Sequence, residues 1–367
     1  MKLNRWHWIA LFVVSALVAF GLGTLVTGLA ARRQDGPALR GTVTPISSVE
    51  TDPAVWGLNF PLEYRSWLRR PEGPETKRPQ PNPALYAGYS FAQDHDRRRS
   101  GYPPNLHPAT CLDCHDPKTM ALKISQRAFR EGLAAQGLDP AKASEQDLRT
   151  YVCAQCHGTT TFTGEGSAPS LPWEGGLRFE QIYASLEKRG AKDWVHALSG
   201  APMLKLRAPS FELWKEGLHA FRGVGCADCH MPYVSEGGTR ISSHQIHSPR
   251  LEQSCVPCHR WTPTGLKDRV ASIQGKTREL QVRAEQALLS AHQALGACTQ
   301  RGIPEERLRD ARRLLREGQA RWDFVASEPS QGFHAPQEAM RLLGLAIDQA
   351  REAEIMAMKV SLAHQKN

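Results

Sequence analysis

The sequence predicts a mainly α-helical chain with an N-terminal transmembrane helix, a middle region of short helices and long C-terminal helices. Three observations carry that prediction. Trp8 to Ala31 is an uncharged run of 24 residues. From about Thr264 onward apolar residues recur at helix-like spacings. No stretch alternates apolar and polar residues convincingly enough to read as a strand.

The first element is the uncharged run. It is longer than the apolar core of a signal peptide and long enough to cross a bilayer. Trp6 and Trp8 stand where an interfacial aromatic belt would lie. Lys2 and Arg5 before the run balance Arg32 and Arg33 after it, so flanking charge does not fix the orientation. Residues 1–33 therefore read as an anchor; a cleaved signal peptide, with Gly28-Leu29-Ala30 as the small-residue site, is the other reading. Residues 34–58 follow as a tether containing Gly, Pro, Thr and Ser.

The next region, 59–260, is organised by cysteine. Eight of nine Cys fall in four CxxCH motifs: Cys111-Leu-Asp-Cys114-His115, Cys153-Ala-Gln-Cys156-His157, Cys226-Ala-Asp-Cys229-His230 and Cys255-Val-Pro-Cys258-His259. Two thiols three positions apart can each form a thioether to one haem vinyl group, and the next His then reaches the iron as proximal ligand. Zinc sites pair one CxxC with another or with distant His, and disulfides leave the four histidines unexplained. The fold expected is thus a multihaem cytochrome c fold with four covalent haem c groups, which places the domain outside the cytoplasm. Leu68 to Pro83 reads as an extended loop, and short helices alternate with loops from Leu85 to about Arg260. Thr163-Gly-Glu-Gly-Ser167 is a turn cluster, not a phosphate loop.

Residues 261–367 form the helical C-terminal region. One helix is expected from about Thr264 to Gly296, a second opening at Pro304-Glu-Glu-Arg307, and a third from about Pro336 to Val360. Met340, Met356 and Met358 read as packing residues. Cys298 reads as a small buried apolar residue. The net charge is +9, but Lys and Arg are scattered and no groove-reading motif occurs, so no nucleic-acid partner is expected.

Four proximal histidines leave ten others. A six-coordinate haem needs a second strong ligand, whereas a catalytic haem leaves that position open. With His7 beside the membrane run and His364 in the tail, the candidates are His95, His107, His196, His219, His244, His247, His292 and His334.

Longer stretches narrow the choice. These are Trp56-Gly-Leu-Asn-Phe-Pro61 with Tyr64 and Trp67, Ala87-Gly-Tyr-Ser-Phe91, His107 to Pro117, Leu171-Pro-Trp-Glu174, Ala201-Pro-Met-Leu-Lys205, Cys226 to Pro232, Arg321-Trp-Asp323, and His334-Ala-Pro336 followed by Met340-Arg-Leu-Leu-Gly344. In order and composition they resemble the ammonia-forming cytochrome c nitrite reductases, which are pentahaem enzymes. The resemblance covers roughly residues 53 to 360. It implies that His219 is the distal ligand of the haem on His259, His244 of the haem on His115, and His334 of the haem on His230. For the haem on His157 the matching position, near Gly101 and Tyr102, has no His, which leaves His95 or His107.

The departures are concerted. The family's catalytic haem motif lies ahead of the one matching Cys111, but only 19 residues separate Phe91 from Cys111 and no Cys precedes Cys111. The family's active-site Arg would fall in the same missing segment. After the second motif the family has a calcium-binding Glu and a catalytic Tyr, where this chain has Thr159 and Thr160. After Pro-Met-Leu-Lys the family has a calcium-supporting Gln and a catalytic His, where this chain has Arg207 and Ala208. No calcium is expected here, because that ion needs several oxygen ligands.

The leading expectation is therefore a tetrahaem electron-transfer member of the family with no catalytic residues. It would sit in a bacterial inner membrane by its N-terminal helix, or be soluble in the periplasm after cleavage. Its donor would be a quinol-linked membrane protein or a cytochrome, and its acceptor soluble or membrane-bound. Two other readings are a reductase of nitrite or a related oxyanion using an open haem on His157, and a membrane-anchored quinol dehydrogenase cytochrome. In the family the C-terminal helices make dimer contacts, so Leu266 to Val360 is the candidate homodimer surface.

Overall fold

The structure, a computed structural model, describes residues 4–34, 43–69, 86–88, 110–163, 168–246 and 249–365. It falls into two units, Met1–Ile46 and Ser47–Asn367. The first unit is built on helix α1 (Arg5–Gln34). Its Arg5–Leu25 stretch is long and apolar enough to cross a membrane. Thr24 and Thr27 turn their hydroxyls back to the carbonyls of Gly21 and Gly23, both at 2.9 Å, so neither presents an unpaired polar group.

In the second unit α2 (Pro53–Gly57) starts at Asp52, whose carboxylate caps Ala54 N at 2.9 Å. Helix α3 (Pro61–Leu68) follows, also opened by proline. The middle of the chain carries α4 (Cys111–Cys114), α5 (Arg127–Ala135), a 3₁₀ turn (Pro140–Lys142), α6 (Glu145–Ala154), α7 (Phe179–Lys188), α8 (Ser210–Lys215), α9 (Leu218–Phe221), α10 (Cys226–His230) and α11 (Leu251–Ser254). Three antiparallel ladders interrupt them: β1 (Thr161–Thr163) with β2 (Ala168–Ser170), β3 (Trp194–Val195) with β4 (Pro202–Met203), and β5 (Tyr233–Glu236) with β6 (Thr239–Ser242). The sequence reading expected no strands. These are two to four residues long, too short for a period of two to stand out.

Three long helices close the chain: α12 (Pro263–Gln300), α13 (Glu305–Ala326) and α14 (Pro336–Gln365). The three expected helices are these, with longer ends. Thr262 caps α12 by accepting Gly265 N at 3.1 Å, with Pro263 at the first position. Helix α14 packs along both others. Ala339, Ala346, Ala350, Ala353 and Ala357 repeat every three, four or seven positions and are all buried, so one smooth face of α14 lets its neighbours approach closely. Cys298 is buried, and its thiol donates to Ala357 O across this packing at 3.3 Å.

Helix α13 is the anchor for the middle region. Arg312 donates to Ser199 O at 2.7 Å, and Arg316 to Pro202 O at 2.9 Å and Ala191 O at 2.6 Å. Lys205 and Asp323 form a buried ion pair at 2.8 Å, and Asp323 also accepts Leu206 N at 2.7 Å. The stretches Ala201 to Lys205 and Arg321 to Asp323 thus interlock. Buried charges of this kind are held by complete pairing, and removing one partner would leave the other stranded.

Candidate haem-binding site

The first and third motifs open short helices, α4 and α10, and are closed by their own sequence, whereas the second begins in the last turn of α6 and the fourth directly follows α11. In Cys-Leu-Asp-Cys-His, Asp113 reaches back to Thr110 N at 2.8 Å. In Cys-Ala-Asp-Cys-His, Asp228 reaches back to Gly225 N at 2.7 Å. A carboxylate at the third helical position thereby satisfies the N-cap amide, which has no partner within the helix. The second motif has Gln155 there, and it reaches outward: it donates to Asp113 O at 3.0 Å and accepts Ser125 N at 2.9 Å.

Such contacts join each motif to the next in chain order. Gln155 links the second to the first. Arg149, one turn before the second motif, holds Asp228 of the third through two nitrogens at 2.9 and 3.0 Å. Ser254, just ahead of the fourth, donates to Cys229 O of the third at 2.6 Å. The thiols register the same neighbours. Burial, then Cys153, pushes the Cys114 thiol up to about 12; burial, then Cys255, pushes Cys229 up to about 11. Cys153 is raised by its hydrogen bond with Cys226, which is correspondingly lowered. These sulfurs stand where haem thioethers would form.

The structure sets three histidines opposite three motif histidines. Ring centres of His115 and His244 lie 6.1 Å apart, those of His219 and His259 6.3 Å, and those of His230 and His334 6.3 Å. An imidazole nitrogen bonds a transition metal at about 2.0 Å, and its ring centre lies about 1.1 Å further back, so two axial imidazoles on one metal stand roughly 6.2 Å centre to centre. The three gaps are therefore the width of one six-coordinate iron. Haem fits between them as it would not between rings in contact.

The other ring nitrogen is held in several cases, which aims Nε2 into the gap. His115 Nδ1 meets Met120 O at 2.9 Å. That carbonyl is positioned because Met120 adopts a left-handed φ of 60° at the end of a turn in which Asp116 accepts Lys118 N and Thr119 N at 3.0 and 2.9 Å. His244 Nδ1 meets Ser242 O at 2.8 Å, and its own amide is held by Ser66 of α3 at 2.9 Å. His334 Nδ1 lies 3.0 Å from the fully buried carboxylate of Glu328, an ion-pair distance angled away from hydrogen-bond geometry. Glu328 in turn accepts Ser330 N at 3.1 Å, and the Ser330 hydroxyl accepts His334 N at 3.0 Å. Burial pushes the Glu328 carboxyl up, but contacts with His334 and Ser330 more than offset it and hold it below the usual range. Burial also keeps the His219, His244 and His157 imidazoles below their ordinary value, in the neutral form that can ligate.

Two glycines allow the assembly. At Gly217, just before α9, a Cβ would stand 2.0 Å from His334 O. The segment carrying His219 and the turn carrying His334 therefore cross in van der Waals contact only because position 217 has no side chain. Gly332, with φ of 82°, lies where a Cβ would meet the Thr277 hydroxyl of α12 at 2.4 Å.

His95, His107 and His247 lie outside the described residues. His196 and His292 face each other, not a motif: their rings stack 3.5 Å apart, with His292 bonded to Ser199 Oγ and Gln319 Oε1, both at 2.8 Å. Burial drives His196 down to about 4 and His292 to about 3, so both are neutral packing groups. Sequence reading did not single out Glu328, Gly217 or the two motif aspartates. For Asp113 a signal existed, since Thr110-x-x-Asp113 has capping-box spacing; for Gly217 and Glu328 none did.

Four CxxCH motifs on a helical frame, three of them faced by a second imidazole at metal-ligand spacing, define a c-type cytochrome. The comparisons give its family. The family model for cytochrome c552 matches residues 100–366. The cytochrome c-552 of Bacteroides fragilis (strain ATCC 25285) is 33% identical over 435 residues, covering 99% of this chain and 88% of that protein. That of Desulfotalea psychrophila is 28% identical over 429 residues, covering 96% and 84%. Both alignments run over more positions than this chain has residues, so the relatives carry segments that it lacks. The cytochrome c nitrite reductase of Desulfovibrio desulfuricans ATCC 27774, a catalytic subunit with two calcium sites, superimposes with a TM-score of 0.75 at 28% identity, covering 86% of this chain and 88% of that one. The chain belongs to the cytochrome c552 family of nitrite reductase-like cytochromes, whose members hold covalent haem c.

Proposed function

We propose that this protein is a tetrahaem electron relay of the family, without the catalytic haem, tethered to the periplasmic face of a bacterial inner membrane by α1. The observation that carries the reading is the set of histidine pairs 6.1–6.3 Å apart at motifs joined in chain order. Haem supplies iron that takes up and gives back one electron at a time. Cys111, Cys114, Cys153, Cys156, Cys226, Cys229, Cys255 and Cys258 would hold it covalently. His115, His157, His230 and His259 would be its proximal ligands, with His244, His334 and His219 distal to the first, third and fourth.

What these residues do is saturate iron and deny it to substrate. The missing chemistry supports the same conclusion. No Cys precedes Cys111, and Thr159, Thr160, Arg207 and Ala208 stand where the resemblance calls for Glu, Tyr, Gln and His. Arg207 pairs with Asp193 and donates to Lys205 O, both at 3.3 Å, which puts a cation at the position that the resemblance gives to a calcium-supporting Gln. The donor is then a quinol-linked membrane protein or a cytochrome.

Intact-mass analysis of the holo-protein should give four haems. Assay with a reduced viologen should give no nitrite consumption above that of free haem. A fifth haem, or multiple-turnover nitrite reduction, would overturn the proposal.

A further inference from the structure

Helix α8 places a carboxylate where the relay reading does not use one. Glu212 is fully buried, and its Oε1 accepts Thr159 N at 2.6 Å and Trp173 Nε1 at 2.9 Å. Its Oε2 has no hydrogen-bond partner among the described residues. Thr159 lies two positions beyond His157, and Phe211 N, next to Glu212, donates to His157 O at 2.9 Å. The carboxylate is thus tied on both sides to the second motif.

Its surroundings are apolar. Phe211 packs on Phe129, Tyr151, Trp173 and Trp214 with ring centres 5.5–6.2 Å apart. The charged groups on the packed elements look elsewhere. On α8 itself Lys215 and Glu216 are exposed, and Glu216 pairs with Arg178 at 3.5 Å. Glu174, next to Trp173, is bound by Arg189. On α5, Arg127 pairs with Glu131 at 2.7 Å, and Arg130 donates to Ile124 O at 2.7 Å. On the strand side Thr160 and Thr161 are neutral. His157, two positions before Thr159, is the titratable group of the second motif on that side. A buried carboxylate with no cation and one bare oxygen is costly as an anion. Burial raises it to about 7 against the Thr159 amide and the Trp173 indole N–H, which hold it down.

We propose that Glu212 is a redox-linked proton site, protonating when the haem centre on His157 is reduced and releasing the proton when that centre is oxidised. The inference rests on the relay reading, because it needs a haem on the second motif. An added electron makes the neighbourhood more negative, which disfavours a carboxylate beside it. The electron comes from a neighbouring reduced haem centre, which is oxidised by one unit. The proton comes from solvent, and the one bond formed is O–H at Glu212 Oε2. Charge in the buried site is thereby balanced, and the relay carries a proton with one of its electrons.

The test is spectropotentiometry of the full-length holo-protein between pH 5.5 and 8.5, with redox-difference infrared spectroscopy alongside. In the unaltered protein one centre should become easier to reduce as pH falls near neutrality, and a protonated-carboxyl band should grow on reduction. Glu212→Gln should flatten that dependence and remove the band, while Glu212→Asp keeps both. Trp173→Phe, which removes a donor that favours the anion, should move the dependent window to higher pH. Unchanged pH dependence in Glu212→Gln, or no carboxyl band in the unaltered protein, overturns the inference. Absence of haem on Cys153 and Cys156 would instead overturn the relay reading itself.

Discussion

Substituting Gly217 by Ala should disturb two iron centres at once. A Cβ there would stand 2.0 Å from His334 O and 3.0 Å from Trp214 O. Carbon and oxygen not bonded to each other need about 3 Å or more, so the two segments must part by roughly 1 Å, and overpacking of this kind costs about 1–3 kcal/mol. The segment before Gly217 is fixed by α8 and the one after it carries His219; the turn on the other side carries His334. Each imidazole sits at the spacing of a metal bond, 6.3 Å from its partner ring. A bond of about 2 Å cannot absorb a displacement of half its length, so at least one of the two ligands should detach. The assay is electron paramagnetic resonance of the oxidised variant, where a new high-spin signal of one to two haems is expected, with a thermal midpoint below that of the unaltered protein. Gly275→Ala in α12 is the control. Nothing lies within 4 Å of the added Cβ, and replacing a mid-helix glycine should stabilise by about 0.5–1 kcal/mol with no change of spin state. If Gly217→Ala keeps every haem low-spin and melts like the unaltered protein, the crossing of these two segments does not position the ligands.

Other outcomes follow from the same geometry. His244→Ala and His334→Ala should each convert one haem to high spin, and added imidazole should restore the low-spin spectrum; unchanged spectra would exclude those two ligands. The stacked pair His196 and His292 should make stability fall in mild acid. Their folded values, about 4 and about 3, lie below the unfolded one, so the unfolded chain binds more protons. Stability is complete well above pH 6.5 and drains as pH falls through 6.5 toward the folded values, by about 3 kcal/mol between pH 6.5 and 5 for the pair. Denaturant titrations at the two pH values measure this, and His292→Gln should remove about half of the loss; a flat profile would mean that the pair is already charged.

The long helices could be read from the sequence because each carries local signals: Thr262-Pro263 opens α12, Glu305 and Glu306 sit in the first turn of α13, and Pro336 opens α14. The ladders could not, since Trp194–Val195 and Pro202–Met203 pair over two residues each. Haem attachment was legible because thioether chemistry fixes the spacing of Cys and His within five residues. Ligand pairing could not be read from spacing, because His219 meets a residue forty positions on and His334 one 104 positions back; the family resemblance alone pointed to it. Without that resemblance His196 and His292 look the same as His219 and His244. Only their stacking separates a packing pair from rings spaced for iron. Glu212 was equally hidden, since burial, not residue type, makes its carboxylate unusual.

The most direct measurement is the spin state of iron in the purified, oxidised holo-protein, with and without cyanide. The account predicts that all haem signals are low-spin and that cyanide leaves the spectrum unchanged, with His244, His334 and His219 filling three sixth positions and His95 or His107 the fourth. A high-spin haem that binds cyanide, or that binds nitrite in its place, would contradict it and return a reductase to the molecule.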